Sequence, residues 1–144
     1  PEKIAYVFGA DMMLPKRIFD QVGGFDPDFF MYGEEEELTW RITQIGFEVA
    51  CVPKAKIIHL EGATVKKQNE FSSRHFKMRM NGTLTYFKKR FGAVGVAEFY
   101  RLRSLRYKRL MKIAKLQRKL TPDSAPVIQQ KCLDEVYQQF LNDT

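Results

Sequence analysis

The pattern of apolar and polar positions divides the chain into a mixed α/β part and a helical part. Short apolar runs predict strands at residues 4–8, 12–14, 47–52 and 56–60. Helical periodicity, with glycine or proline at the boundaries, predicts helices at residues 16–22, 34–45, 69–91, 99–120 and 125–141. We therefore expect an α/β portion over residues 1–68 and a helical C-terminal extension over residues 69–144.

The predicted strands are too few for a complete doubly wound sheet. With 144 residues, 44% of them hydrophobic and 28% charged, the chain suits one domain or a piece of one. Residue 1 is Pro rather than Met. Together with the stunted sheet, this makes us expect a piece of a longer protein. The two cysteines, Cys51 and Cys132, lie far apart and are expected to be free thiols in a reducing compartment.

The net charge of the chain is +7, and the charged residues are unevenly distributed along it. Residues 34–37 form a purely acidic block, whereas residues 99–120 contain many cations and no acid. Three interpretations of the basic helix stay open. A solvated helix that packs on its neighbours is favoured, and docking on an anionic membrane surface comes second. Nucleic-acid binding is not expected, since no recognised binding motif accompanies the charge.

A series of short motifs within residues 9–62 carries the chemical information. In chain order these are Gly9-Ala10, Gly23-Gly24-Phe25-Asp26, Phe29-Phe30-Met31-Tyr32-Gly33, Glu34-Glu35-Glu36-Glu37-Leu38-Thr39-Trp40-Arg41, Gly46, Pro53 and His59. Each motif alone is weak, but their order and spacing resemble the second half of the family 2 glycosyltransferases of GT-A fold. These are bacterial enzymes that build cell-surface polysaccharides. The resemblance covers roughly residues 1–90.

The resemblance implies the fold class and the reaction. The expected fold is α/β, the C-terminal part of a GT-A (Rossmann-like) glycosyltransferase followed by a helical tail. The implied enzyme is an inverting transferase of hexosyltransferase type. It moves a sugar from a nucleotide-sugar donor, of uridine or thymidine diphosphate type, to a saccharide or lipid-linked acceptor. Such a reaction needs a carboxylate that takes up the acceptor proton. It also needs positive charge, such as a divalent metal ion, at the departing diphosphate.

Matching the motifs position by position assigns the site residues. The general base of the family falls on Glu35, and the neighbouring catalytic acid falls on Glu34. Substrate binding is assigned to Gly9, Ala10, Glu37 and Arg41. The metal-binding histidine of the family falls on His59. The alternatives are a tight strand bend at Gly9-Ala10, a solvated first helical turn for residues 34–37 and a hydrogen-bonded strand end for His59. For Arg41 they are an ion pair or the orientation of a catalytic carboxylate.

The acidic motif departs from the family pattern in two places. Glutamate stands where the family has aspartate, at Glu35 and at Glu37, and the extra methylene moves each carboxylate. Either the pocket is shaped for the longer acid, or the roles have shifted among Glu34, Glu35 and Glu36. These changes also leave a second hypothesis open, in which a degenerate transferase remnant acts as a membrane-docking or partner-binding module.

The metal motif of the family is expected upstream of residue 1. Asp26-Pro27-Asp28 spells D-x-D but lies in the Gly-Gly-Phe-Asp loop, where it predicts a turn. A divalent metal ion, Mn²⁺ or Mg²⁺, is therefore expected only with the N-terminal half, and the 144 residues alone are expected to be inactive. The expected location is cytoplasmic, with peripheral attachment to the inner face of the plasma membrane as an option. The oligomeric state stays open.

Overall fold

The computed structural model describes residues 2–3, 6–7, 9–58 and 73–142. The chain divides into two compact units, Pro1–Glu70 and Phe71–Thr144. The elements of the first unit are β1 (Glu2–Lys3), a 3-10 turn (Gly9–Asp11), α1 (Lys16–Gln21), α2 (Glu34–Gln44) and β2 (Ala50–Cys51). The second unit contains α3 (Ser73–Leu116) and α4 (Ala125–Asn142). Within the described ranges, every helix is too short or too polar to cross a bilayer.

Two helices and a short pair of strands make up the described part of the first unit. β1 and β2 pair antiparallel, with Glu2 opposite Cys51 and Lys3 opposite Ala50. α1 packs on α2 around a small apolar core. The buried members of this core are Ile18, Leu38 and Ile42, and Met12, Leu14, Phe19 and Val22 pack against them. Because Leu38 and Ile42 are four residues apart, they lie on one face of α2 and bury it against α1.

The start of α2 is set by two residues in the left-handed region. Tyr32 has φ 71°, and Gly33, the N-cap, has φ 95°. Four glutamates, Glu34 to Glu37, fill the first turn, where the helix dipole favours negative charge. Because the helix begins directly after Gly33, all four glutamate carboxylates lie at the N-terminal end of α2.

The second unit is built on one long, broken helix. Gly92 has φ 64° and ψ −161°, a conformation open almost only to glycine, and it divides α3 into residues 73–91 and 93–116. Both parts contribute to one core with α4. Its buried members are Met80, Leu84, Val96, Tyr107, Leu133 and Val136, with Phe76, Phe87, Phe99, Tyr100, Tyr137 and Phe140 packed around them.

The structure confirms most predicted helices and corrects several strands and two helix boundaries. The predicted strand 12–14 is wrong, because these residues lie in no regular element and contribute Met12 and Leu14 to the core instead. Of the predicted strand 47–52, only Ala50–Cys51 pairs. Residues 56–58 lie in no strand. Ile4, Ala5, Phe8, His59 and Leu60 lie outside the described residues.

The two predicted central helices are separated only by Gly92, since the second begins at residue 93 rather than 99, and it ends at Leu116 rather than at residue 120. Gly92 breaks the helix, whereas burial of Val96 in the core stabilises the second helix from residue 93 onward in spite of Gly95. Both cysteines are free thiols, with Cys51 exposed and Cys132 buried, as predicted. The GT-A fold stays a prediction, and so does the domain division at residue 68.

Candidate active site

The 3-10 turn and the first turn of α2 meet at Gly9 and Glu35. The Gly9 amide donates a hydrogen bond of 3.2 Å to Glu35 Oε1. A Cβ atom at position 9 would lie 3.2 Å from Glu35 Cγ, which is tighter than ordinary contact. The approach of this carboxylate to the backbone therefore depends on glycine. Ala10 lies in the same turn and is exposed.

Glu34, next to Glu35, has a carboxylate in a partly desolvated position. Its Oε2 atom is buried and has no hydrogen-bond partner among the described residues. Burial raises the pKa of Glu34, and the negative charge of Glu35 raises it further, while backbone hydrogen bonds lower it. A carboxylate oxygen that is buried without a partner is unusual in a folded protein. It is typical of a group that meets a ligand or takes part in proton transfer.

Glu37 and Arg41 form a bidentate ion pair on the inner side of α2. Arg41 Nε donates to Glu37 Oε1 and Arg41 Nη2 donates to Glu37 Oε2, both at 2.6 Å. The same guanidinium donates to the carbonyl of Gly24, at 2.7 Å, and to that of Val22. The Glu37 side chain is 5% exposed and the Arg41 side chain 23%. The pair therefore ties α2 to the turn that ends α1.

This geometry favours one of the three sequence-based interpretations of Arg41. Its donors are directed to Glu37 and to two backbone carbonyls, which is the ion-pair alternative. Substrate binding by Glu37 and Arg41 stays a prediction. In this structure both side chains hold the helix that presents Glu34 and Glu35, which is a positioning contribution.

The Asp26-Pro27-Asp28 segment is a turn, as predicted. The Asp28 amide donates to Asp26 Oδ1 at 3.0 Å, and the Phe29 amide donates to the Asp26 carbonyl at 3.1 Å. This is the local side-chain-to-backbone pattern that aspartate forms in turns. The turn leads into the aromatic loop before α2.

The predicted metal ligand, His59, lies outside the described residues. Over residues 9–58 and 73–142, no three His, Cys, Asp or Glu side chains are grouped so that they could hold a metal ion. The acids at the start of α2 therefore do not form a metal site by themselves. The metal assignment stays a prediction that involves residues other than these.

Two features of the site carry no sequence signal. The carbonyls of Val22 and Gly24 bind Arg41 through the backbone, so their side chains could not reveal the contact. The burial of Glu34 is equally invisible in a run of four glutamates. The sequence gives one indirect indication for the first feature: the pair Gly23-Gly24 at the end of α1 has no bulky side chains, so backbone carbonyls there are open to contact.

Comparisons with known proteins agree with the class of protein that the site suggests. Residues 2–63 match the family model described as the N-terminal domain of galactosyltransferase. The chain is 34% identical over 56 residues to the N-acetylglucosaminyl-diphospho-decaprenol L-rhamnosyltransferase of Mycobacterium tuberculosis, from strains H37Rv and CDC 1551 alike. It is also 34% identical over 58 residues to the O-antigen biosynthesis protein RfbC of Myxococcus xanthus.

These similarities are confined to the first part of the chain. The rhamnosyltransferase match covers 39% of this chain and 18% of the relative, and the RfbC match covers 40% and 4%. The chain thus spans less than a fifth of the length of these curated relatives. No solved structure matches it significantly. Residues 2–63 are similar to glycosyltransferases, and to proteins of polysaccharide synthesis, which supports the predicted broad class.

Proposed function

We propose that residues 1–68 are the acceptor and base portion of an inverting glycosyltransferase of GT-A fold, in family 2 and of hexosyltransferase type. In this proposal the chain belongs to the C-terminal half of a longer enzyme. The observation that carries it is the 3.2 Å contact between the Gly9 amide and Glu35 Oε1. It joins the motif assigned to sugar binding with the carboxylate assigned as base, although 26 positions separate them.

Glu35 is the proton acceptor in the proposed reaction. An acceptor hydroxyl attacks the anomeric carbon of the donor from the face opposite the nucleoside diphosphate, so the configuration inverts. The new bond joins the acceptor oxygen to the anomeric carbon. The bond to the diphosphate breaks, and the diphosphate leaves with the electron pair. The hydroxyl proton passes to the Glu35 carboxylate. The bond from Gly9 fixes Oε1 and thereby orients the group.

Glu34 has a different task in this proposal. Its Oε2 atom is buried and lacks a partner within the described ranges, so an acceptor hydroxyl that displaces the covering atoms would supply the missing hydrogen bond. Glu34 would then hold the acceptor while Glu35 takes its proton. Loss of Glu34 should therefore weaken acceptor binding, whereas loss of Glu35 should slow the chemical step.

The donor is proposed to be a nucleoside diphosphate sugar and the acceptor a lipid-linked saccharide. Support comes from the relative that is named for rhamnosyl transfer to N-acetylglucosaminyl-diphospho-decaprenol. The second relative, which is named for O-antigen biosynthesis, supports a role in cell-surface polysaccharide synthesis. A cytoplasmic location with access to the membrane would suit such an acceptor.

A divalent metal ion, Mn²⁺ or Mg²⁺, remains part of the proposal for the whole enzyme. The described residues do not form a set of ligands for it. The ion would stabilise the charge of the leaving diphosphate. Its ligands would be His59 and acids supplied by the N-terminal half. The steps assigned to Gly9, Glu34 and Glu35 do not depend on it.

Sugar transfer by the longer protein that carries this chain tests the proposal. Uridine and thymidine diphosphate sugars would be offered with a diphospho-polyprenyl saccharide, and the product identified by mass spectrometry. Glu35→Gln should abolish most of the turnover, and Glu34→Gln should mainly raise the KM for the acceptor. Asp123→Asn, which removes an exposed acid of the second unit, is the control and should behave as wild type.

Two results would contradict the proposal. A wild-type protein that transfers no sugar, although a D-x-D motif precedes this segment, would favour a degenerate remnant. Transfer by these 144 residues alone would show that the donor site lies within them. If Glu34→Gln lowered kcat and Glu35→Gln changed only the KM, the two roles would have to be exchanged.

A further inference from the structure

The C-terminal part of α3, residues 93–116, has an outward face that is both apolar and cationic. Leu102, Leu105, Arg109, Ile113 and Leu116 follow one another at intervals of three and four residues, so they lie on one side of the helix. We call these five residues the outer stripe. Its apolar members are 54%, 51%, 43% and 76% exposed, in chain order. Large aliphatic side chains are thus concentrated where a helix of a small soluble unit normally carries polar ones.

Contacts on the opposite face fix the rotation of the helix. Ser104 and Tyr107 are buried, and Gln130 of α4 donates a 3.1 Å hydrogen bond to Ser104 Oγ. The Tyr100 hydroxyl donates to Asp134 Oδ1 at 2.8 Å. These polar contacts would be lost if the helix turned about its axis. The outer stripe therefore cannot be buried against α4 without breaking them.

Cations surround the outer stripe. Seven of them are exposed and have no ion-pair partner among the described residues: Arg106, Lys108, Arg109, Lys112, Lys115, Arg118 and Lys119. Two further cations are engaged within the helix. Arg101 is paired with Glu98 at 2.6 Å, and the Arg103 guanidinium lies over the Phe99 ring, 5.4 Å from its centroid. The free charge is therefore concentrated toward the end of α3 and just beyond it.

The combination of exposed aliphatic side chains with cations that are unpaired in the described part of the chain limits what this face of the helix can bind. Association with a second copy through the same face would bring its cations against each other. A nucleic acid would satisfy the charges but would leave the leucines exposed. An anionic bilayer satisfies both, because its headgroups attract lysine and arginine while the boundary with the acyl chains accepts aliphatic side chains. We propose that the outer stripe and its flanking cations dock this chain on an anionic membrane surface. The proposal does not depend on sugar transfer.

Binding of the 144-residue chain to vesicles tests this docking. Sedimentation with phosphatidylcholine vesicles, with and without phosphatidylglycerol, gives the partition coefficient. Binding should require phosphatidylglycerol and weaken as salt is added, because the attraction is screened. Arg109→Gln with Lys112→Gln should lower the coefficient about 25-fold, at roughly fivefold for each cation near the surface. Lys54→Gln with Lys56→Gln removes the same charge from the first unit and should have little effect.

The contribution of the apolar side chains to vesicle binding is tested with a separate variant. Leu105→Gln with Ile113→Gln leaves the charge unchanged and should reduce binding at least tenfold, because two aliphatic side chains no longer enter the boundary. Met13→Gln with Ile58→Gln, at two exposed positions of the first unit, is the matched control. All substituted residues are at exposed positions, from 43% at Ile113 to 97% at Met13 among the apolar ones. An unchanged circular dichroism spectrum would show that the fold is retained.

Four outcomes would overturn the proposal. One is failure of the wild-type chain to bind phosphatidylglycerol vesicles. Another is binding that depends on Arg109 and Lys112 but not on Leu105 and Ile113, since this would indicate adsorption by charge alone. A third is displacement from vesicles by duplex DNA at equal phosphate concentration, which would indicate a nucleic-acid surface. A stable dimer that dissociates on Leu105→Gln would assign the stripe to a second copy.

Discussion

Glu37 and Arg41 lie one turn apart on α2 and are joined by two hydrogen bonds of 2.6 Å, one to each carboxylate oxygen. The carboxylate is almost fully buried, and the guanidinium reaches on to the carbonyls of Val22 and Gly24. This arrangement connects the helix that carries the proposed base to the end of α1. The stability of the candidate site should depend on it.

Removal of the Arg41 side chain should therefore lower the urea concentration at which the first unit unfolds. Arg41→Ala leaves the Glu37 carboxylate buried without its partner and should cost about 3 kcal/mol. Arg41→Lys keeps the charge but loses the paired geometry, so it should fall between the wild type and Arg41→Ala. Urea unfolding followed by the fluorescence of Trp40, the only tryptophan in the sequence, reports on α2.

An exposed pair provides the matched control. Arg101 binds both carboxylate oxygens of Glu98 in a similar way, but both side chains are more than half exposed. Arg101→Ala should leave the Trp40 transition where it is. Equal effects of Arg41→Ala and Arg101→Ala would contradict the role assigned to the buried pair.

A second prediction concerns pH. The pKa of Glu34 is raised in the folded protein, chiefly by burial. The folded state therefore favours protonated Glu34, and this contribution to stability is lost as the pH rises through the folded pKa. Glu34→Gln, which stays neutral, should gain stability relative to the wild type as the pH rises above the ordinary pKa of glutamate, about 4.3.

Urea titrations at several pH values, again followed by Trp40, measure this difference. The control is Asp123→Asn in the second unit. Its free energy of unfolding should change with pH in the same way as that of the wild type. The difference in free energy of unfolding between Glu34→Gln and the wild type is expected to grow in favour of the variant as the pH rises. If the wild type instead gained stability relative to Glu34→Gln, ionised Glu34 would stabilise the folded protein. That result would reverse the sign derived from its burial.

The break in α3 leads to a third prediction. At φ 64° and ψ −161°, Gly92 has a backbone conformation that other residues adopt only with strain. Gly92→Ala should destabilise the second unit by about 1–3 kcal/mol, as measured by thermal unfolding with circular dichroism at helical wavelengths. Val94→Ala, at a neighbouring position that is 81% exposed, should change stability by about 0.5 kcal/mol or less. Unchanged stability of Gly92→Ala would mean that the helix can continue straight through this position.

A fourth prediction tests the close approach at Gly9. A methyl group there would meet Glu35 Cγ at 3.2 Å, so the carboxylate must shift by a few tenths of an ångström. In the longer enzyme that we propose, Gly9→Ala should lower kcat about tenfold, because a base in a preorganised site tolerates little displacement. The unfolding curve should change little, since residue 9 is exposed. A kcat equal to that of the wild type would separate Gly9 from the catalytic geometry.

The sequence was informative where local chemistry decides the structure. Pro15 marks the start of α1, and Gly23-Gly24 and Gly46 mark the ends of α1 and α2, as predicted. It was misleading where packing decides. Met12 and Leu14 resemble a strand by their apolar pattern, yet they fill the core beside α1. Packing of Val96 supports a second helix that begins at residue 93, before its predicted start at residue 99.

The candidate site was predictable only in part for the same reason. The motif pattern selected Glu34, Glu35, Glu37 and Arg41, and the structure places all four on α2. It could not distinguish a carboxylate held by a buried arginine from one with an unpartnered oxygen. That distinction depends on which glutamates α1 and its terminal turn cover, and this is a property of the fold.

The most direct test of the account is the kcat of Glu35→Gln for sugar transfer by the longer enzyme. The substitution keeps the size of the side chain but cannot accept the proton. We predict a loss of about 10²- to 10⁴-fold in kcat, with an unchanged KM for the donor. A kcat close to that of the wild type would contradict the assignment of Glu35 as the base.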